Sequence, residues 1–134
     1  MQKIIIHSDG GARGNPGPAG IGAVLNDESG AVLSEISRYL GETTNNQAEY
    51  RALTAALEKA KELQAEEVEC YLDSELVVKQ LNHEYKVKSP ELAPLFLNIH
   101  NLSLSFKKIK FIHVRREYNK EADRLANEAM DRHA

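Results

Sequence analysis

Hydrophobic periodicity divides this chain at one segment, and that division limits the folds open to it. Ahead of the segment TTNN the chain reads as strands, and beyond it helices and strands alternate. Lys3 to Asp9 is a β-branched run typical of a buried strand, followed by GGARGNPGPAG, a loop punctuated by glycine and proline. Gly20 to Asn26 and Ala31 to Leu40 are two further strands, and the turn-like DESG makes them an antiparallel hairpin. Gln47 to Leu63 has high helix propensity and an apolar stripe at helical spacing, with Thr44 or Asn45 available as its cap. Glu67 to Leu72 alternates as a strand, Ser74 to Asn82 is a short helix, and Pro90 occupies the first turn of another. Lys108 to Val114 is the last strand, followed by Asn119 as a cap and a helix running to the neighbourhood of Ala134. The order βββαβααβα is a meander followed by β-α alternation. It calls for a mixed sheet with helices on its faces, an α/β or α+β layer architecture. Parallel strands then align their carboxyl ends, where sites tend to form.

No internal repeat, low-complexity tract or Pro- or Gly/Ser-rich linker interrupts this order. With 134 residues, 42% of them hydrophobic, the chain can bury a core without disulfide or metal staples, so residues 1–134 are expected to be one domain. The lone Cys70, flanked at a distance of two by Val68 and Leu72, has the setting of a small buried hydrophobe in a reduced compartment. The N-terminal apolar run is too short for a secretory signal, and no stretch is long enough to cross a bilayer. A cytoplasmic protein with no membrane partner is expected. No sustained heptad argues for association, which leaves a monomer as the expectation. A formal charge of −3 lacks the global signature of a nucleic-acid binder, so local charge has to be inspected instead.

Four carboxylates draw attention. Asp9 ends the first apolar run, and Asp73 follows Leu72 directly ahead of a helix, so both stand at carboxyl ends of strands. Each has two readings, turn or cap chemistry on one side and a site on the other. Glu49 is different. Stepping from Glu49 through Leu53, Ala56, Ala60 and Leu63 follows one helix face, which puts its charge inside the apolar stripe. A buried lone carboxylate is costly and takes up a proton or a counter-ion, so a cation nearby is implied. Asp123 falls in about the first turn of the last helix, flanking Ala122, Ala126 and Ala129, and complementarity to the helix N-terminus accounts for it on its own. Together, the two strand-end aspartates and Glu49 converge, and carboxylates sharing one place repel unless metal holds them. Oxygen ligation suits Mg²⁺ or Mn²⁺ and not zinc. Two such ions, roughly 4 Å apart, activate a water and stabilise the leaving oxygen in phosphodiester cleavage with no nucleophilic side chain. No convincing Ser-His-Asp or Cys-His set competes with this reading.

Four segments, DGGARGNPGPAG, TNNQAEYRAL, DSELVV and HVRREYNKEADRLA, resemble in order and separation the motifs of the type 1 ribonuclease H family, over essentially the whole chain. The resemblance implies a ribonuclease H-like fold, with a five-stranded mixed sheet and helices on both faces. It implies an endonuclease that hydrolyses the RNA strand of an RNA–DNA hybrid and leaves 5′-phosphate and 3′-hydroxyl ends. It also implies two Mg²⁺ ions, with Mn²⁺ as a substitute, held by Asp9, Glu49, Asp73 and Asp123 around the scissile phosphate. Asp9 and Asp123 would serve the site near the attacking water, with Asp9 bridging to the second ion. Glu49 and Asp73 would complete that second site and contact the RNA. His113 stands ten residues before Asp123, the spacing at which similar proteins place a mobile histidine that helps protons and product leave. It continues the strand KIKFIHV, however, and lacks the glycine-rich surround. Arg116 is the alternative, since a branch of the family uses an arginine there. An ordinary strand residue and a solvated loop charge are the other readings of His113 and Arg116.

The loop after Asp9 lacks the Lys-Ser/Thr ending of a phosphate-binding P-loop and does not fit the dinucleotide fingerprint. Instead Gly10, Gly11, Ala12 and Asn15, with Thr44, Asn45, Asn46 and Gln47, resemble the family's polar floor for the hybrid's sugars and phosphates. Recognition of RNA there would pass through the 2′-hydroxyl. Helix capping accounts for Asn45 and Asn46 equally well. Arg13 is either a phosphate contact or an exposed loop charge. Lys86 and Lys88, beside Tyr85, are phosphate contacts or part of a solvated surface. Many bacterial relatives carry a basic insertion where this chain has a short connection, so hybrid binding is expected to be weaker and more salt-sensitive. An integrase, transposase or junction-resolving nuclease on the same fold would bring extra DNA-binding or dimerising segments, and none is evident. An inactive hybrid-binding module would be expected to lose a carboxylate, whereas all four are present.

Overall fold

The computed structural model describes residues 2–133. Strands β1 (Lys3–Ala12), β2 (Gly17–Asn26) and β3 (Val32–Thr43) form the meander. They are followed by α1 (Asn45–Glu62), β4 (Glu67–Leu72), α2 (Glu75–Leu81), α3 (Ala93–Ser103), β5 (Lys108–His113), a 3₁₀ turn at Arg116–Tyr118 and α4 (Lys120–Arg132). The element order is the one that periodicity implied. All five strands lie in one mixed sheet ordered β3-β2-β1-β4-β5. Strand β1 is antiparallel to β2 and parallel to β4, and β4 is parallel to β5.

Alternation along β1 and β4 sends Ile4, Ile6, Val68, Cys70 and Leu72 to the side covered by α1, where Leu53, Ala56, Leu57 and Ala60 meet them. α3 closes this layer behind α1. Truncating a fully buried side chain such as Leu53 to Ala should cost about 2–5 kcal/mol, because the void cannot collapse completely. Cys70 is wholly buried and burial drives its thiol pKa up, as expected of a packing residue. On the opposite side α4 lies against β1, β2 and β3. Its close approach depends on Gly22, where a Cβ would run into the Ala122 carbonyl.

Several boundaries depart from the sequence reading. β1 does not end at Asp9 but continues through Gly10, Gly11 and Ala12, which pair with Ile21, Gly20 and Ala19 of β2. The glycines marked a loop, yet ladder pairing absorbs them and leaves a tight turn at 13–16 closed by the Arg13 amide donating to the Pro18 carbonyl at 2.8 Å. β3 likewise runs past Leu40 to Thr43. Pro90 does not open the third helix. The segment at 89–92 is a turn, with the Leu92 amide donating to the Ser89 carbonyl, and the proline in the first turn of α3 is Pro94. Both prolines fit the same local rule. Of the two cap candidates for α1, Thr44 is the one used, accepting from the Gln47 amide at 3.2 Å. Asn119 occupies the cap position of α4, but its side chain makes no cap bond. Among the described residues, no helix is long and apolar enough to cross a membrane.

Candidate active site

The parallel register of β1 and β4 ends with Ser8 opposite Leu72, so Asp9 and Asp73 are the next residues along two adjacent chains. Asp9 remains in β1, still paired with Gly22 of β2, while Asp73 leaves the sheet ahead of α2. α1 supplies the third carboxylate. A Cβ on Gly10 would collide with the Ala48 carbonyl, so glycine there lets the helix settle directly on the strand. The Gly10 amide then donates to Glu49 Oε1 at 3.3 Å. As a result Asp9, Glu49 and Asp73 each offer an oxygen within 4.8 Å of the others.

Asp123 arrives from the other side of the sheet. Asn119 is 2% exposed, and its Nδ2 donates to the Ser8 carbonyl at 2.9 Å. That bond pins the start of α4 beside the residue preceding Asp9. Asp123 does not join the group of three, but it lines the same open cavity of about 450 Å³. Its Oδ1 accepts from Asn127 Nδ2 at 3.3 Å and lies 3.7 Å from Arg116 Nη2.

Burial raises the pKa of all three converging carboxyls. Asp9 is raised by burial first and then by the charges of Glu49 and Asp73, and Glu49 and Asp73 are also raised chiefly by burial. Asp9 and Glu49 are each 8% exposed, and Glu49 Oε2 is buried without a hydrogen-bond partner. An orphaned carboxylate oxygen facing like charges is the environment that a hard cation relieves. An all-oxygen donor set with open space beside it fits a divalent ion such as Mg²⁺.

The other residues singled out by sequence divide into groups. Gly10, Gly11, Ala12, Arg13, Asn45, Asn46 and Arg116 line the cavity with the carboxylates. The Ala12 amide is engaged by Asn45 Oδ1 at 2.7 Å, and the Asn45 amide donates to Asn15 Oδ1 at 3.1 Å, so the turn is latched to the start of α1. Asn15, Thr44 and Gln47 line a neighbouring cavity with Asn46, Thr43 and Leu92. His113 is exposed at the end of β5 and Lys86 and Lys88 are exposed in the α2–α3 connection; none of the three reaches the carboxylates' cavity. Sequence reasoning missed Ser74, Asn127 and Met130 in the cavity wall, and it missed the inward role of Asn119. Asn127 lay one helical turn beyond Asp123 and was within reach of a spacing argument.

The profile of the reverse transcriptase-like family matches residues 7–129. A bifunctional protein of Mycobacterium tuberculosis is 47% identical over 96% of this chain, and the match spans 36% of that protein. A ribonuclease HI of Halobacterium salinarum is 41% identical, with 65% of its length covered. The chain thus spans only part of the length of these curated relatives. A ribonuclease H of Chlorobium phaeobacteroides is 37% identical, and the match covers 97% of each chain. Among solved structures, LC11-RNase H1 in complex with an RNA/DNA hybrid superposes with a TM-score of 0.92 at 50% identity, covering 97% of this chain and 98% of that one. The sheet order, the converging carboxylates and these matches agree, and the chain belongs to the ribonuclease H family.

Proposed function

We propose that this chain is an endoribonuclease that hydrolyses the RNA strand of RNA–DNA hybrids, leaving 5′-phosphate and 3′-hydroxyl ends, with Asp9, Glu49, Asp73 and Asp123 holding two divalent cations. The observation that carries this reading is the convergence of three carboxylates within 4.8 Å, one of whose buried oxygens has no partner. Mg²⁺ suits such donors, and Mn²⁺ is the substitute. When bound, the ions supply activation of the attacking water and stabilisation of the leaving oxygen.

The chain's own residues do the holding and orienting. The Gly10 amide fixes one oxygen of Glu49 and leaves the other for a cation. Asn119 sets the start of α4 and thereby brings Asp123 to the rim. Arg116, beside Asp123, screens charge as product departs; of the two side chains considered for that task, only Arg116 lines the cavity. Asn45 and Asn46, with Asn15, Thr44 and Gln47 in the adjoining cavity, form the polar floor against which sugars and phosphates of a hybrid rest. The amides of Gly10 and Ala12 are engaged within the protein, so the 10–12 segment contributes surface more than hydrogen bonds. Lys86 and Lys88 approach phosphates farther along the duplex. The hybrid bound by LC11-RNase H1, at 50% identity, supports this substrate class. We further infer that residues 1–134 work as one domain, as a monomer in the cytoplasm.

Incubation with a labelled RNA–DNA hybrid, alongside RNA–RNA, DNA–DNA and metal-free controls, tests the proposal. Cleavage of the RNA strand only in the hybrid and only with Mg²⁺ or Mn²⁺ is expected. An intact hybrid in the presence of folded protein and either metal overturns it.

A further inference from the structure

Asp123 is more exposed than Asp9 and Glu49, with 31% of its side chain accessible, and it stands outside the group of three. Something must hold it in place. A connected set of polar contacts reaches it from the turn between β1 and β2. Arg13 Nη2 lies 2.6 Å from Asp131 Oδ1, and the same nitrogen donates to Asn127 Oδ1 at 3.3 Å and to the Asn127 carbonyl at 3.5 Å. Asn127 Nδ2 in turn donates to Asp123 Oδ1 at 3.3 Å and to the Asp123 carbonyl at 3.0 Å.

We propose that Arg13 and Asn127 are positioning residues for Asp123, with the Arg13 guanidinium setting the polarity of the Asn127 amide. A guanidinium offers donors and no acceptor, so the amide oxygen must face it, and the NH₂ is then turned toward the carboxylate. With the amide reversed, its oxygen would confront Asp123 and its NH₂ would confront Arg13, two repulsive pairs in place of two attractive ones. Asp131, farther along α4 than Asp123, pairs with the same guanidinium nitrogen at the surface at 2.6 Å. The arrangement also selects between the carboxylate oxygens. Asn127 and Arg116 both approach Oδ1, which leaves Oδ2 unengaged by either and available to a cation. Outer partners of this kind orient a ligand and typically change metal affinity or activity 10–100-fold when removed.

The inference rests on the metal-dependent reading above, and the test separates the two. The probe is Mn²⁺ alone, titrated calorimetrically into wild type, Arg13→Ala, Asn127→Ala, the double variant and Arg13→Lys. Each alanine variant should bind Mn²⁺ about tenfold more weakly with an unchanged dissociation constant for the hybrid. The double variant should be no worse than Asn127→Ala, because the two act in series. Arg13→Lys, still a donor, should recover most of the affinity. The Asn127 side-chain amide protons should exchange slowly with solvent in wild type and lose that protection in Arg13→Ala. Unchanged Mn²⁺ affinity in the alanine variants overturns the inference while leaving the function intact, and so does a weakened hybrid affinity with normal Mn²⁺ binding, which would make Arg13 a phosphate contact. A fall in thermal stability with no change in Mn²⁺ affinity likewise overturns it. Wild type that neither binds Mn²⁺ nor cleaves overturns the function and this inference with it.

Discussion

Replacing Asp9 by Asn should stabilise the metal-free protein, and the gain should depend on pH. At the separation of the carboxylate oxygens, up to 4.8 Å, two ionised groups repel by about 3.5 kcal/mol or more at an effective dielectric of about 20. Asp9 faces two such neighbours, so full ionisation of the trio is costlier than protonating it. Holding a proton on Asp9 at pH 7 against an ordinary pKa near 3.9 costs about 4 kcal/mol, and near pH 5 about 1.5 kcal/mol. The folded state takes the cheaper course, so the penalty is capped at the protonation cost. The sign follows from the raised pKa, whose causes are burial first and then Glu49. A carboxyl that is easier to protonate in the folded state contributes no penalty below its unfolded pKa, and stability drains as pH climbs above that value. Asn has the same shape without the charge. Asp9→Asn should therefore gain about 2–4 kcal/mol at pH 7, roughly 1 kcal/mol at pH 5 and nothing near pH 4. Urea unfolding followed by far-UV circular dichroism in EDTA, from pH 4 to pH 8, measures this. Added Mg²⁺ should narrow the difference by stabilising wild type more than the variant. A variant no more stable than wild type at pH 7, or a gain equal at pH 4 and pH 7, would refute the claim that Asp9 stands in a repulsive, metal-requiring cluster.

The contrast between the two candidates for product departure is sharp, because Arg116 lies 3.7 Å from Asp123 while His113 points to no part of the cavity. Arg116→Ala should lower turnover at least severalfold and His113→Ala should leave it nearly intact, and steady-state rates in the opposite order would reverse the assignment. Gly10→Ala forces a methyl group into the Ala48 carbonyl, so it should cost about 1–3 kcal/mol in unfolding experiments and dislodge Glu49. A variant with wild-type stability and wild-type Mg²⁺ response would show that α1 does not rest on β1 as described. Lys86 and Lys88 are exposed, and if each meets a phosphate, either alanine variant should flatten the slope of log affinity for the hybrid against log salt by roughly 0.7–0.9. Parallel slopes for wild type and variants would return both lysines to ordinary surface.

Local signals sufficed for much of this molecule. The order of strands and helices follows from short-range periodicity, and the stripe on α1 singled out Glu49 because burial of an unpaired charge is costly wherever it occurs. The buried character of Cys70 is equally local, and local signals narrowed the cap of α1 to Thr44 or Asn45. Other features depend on neighbours that no period reveals. Asp9 and Asp73 become adjacent only because β1 and β4 align in parallel with Ser8 opposite Leu72, and register is set by side-chain packing across the whole sheet. Glycines that marked a loop became strand because β2 offered them partners, and the proline in the first turn of α3 is Pro94 rather than Pro90. Asn119 had the right position for a cap, yet its side chain turned inward to a carbonyl 111 residues away in sequence. The contacts linking Arg13 to Asp123 through Asn127 likewise join the first hairpin to the last helix. Chemistry of single residues was therefore legible from the chain itself, while their convergence was decided by long-range pairing, since distance in space is not a property of sequence spacing.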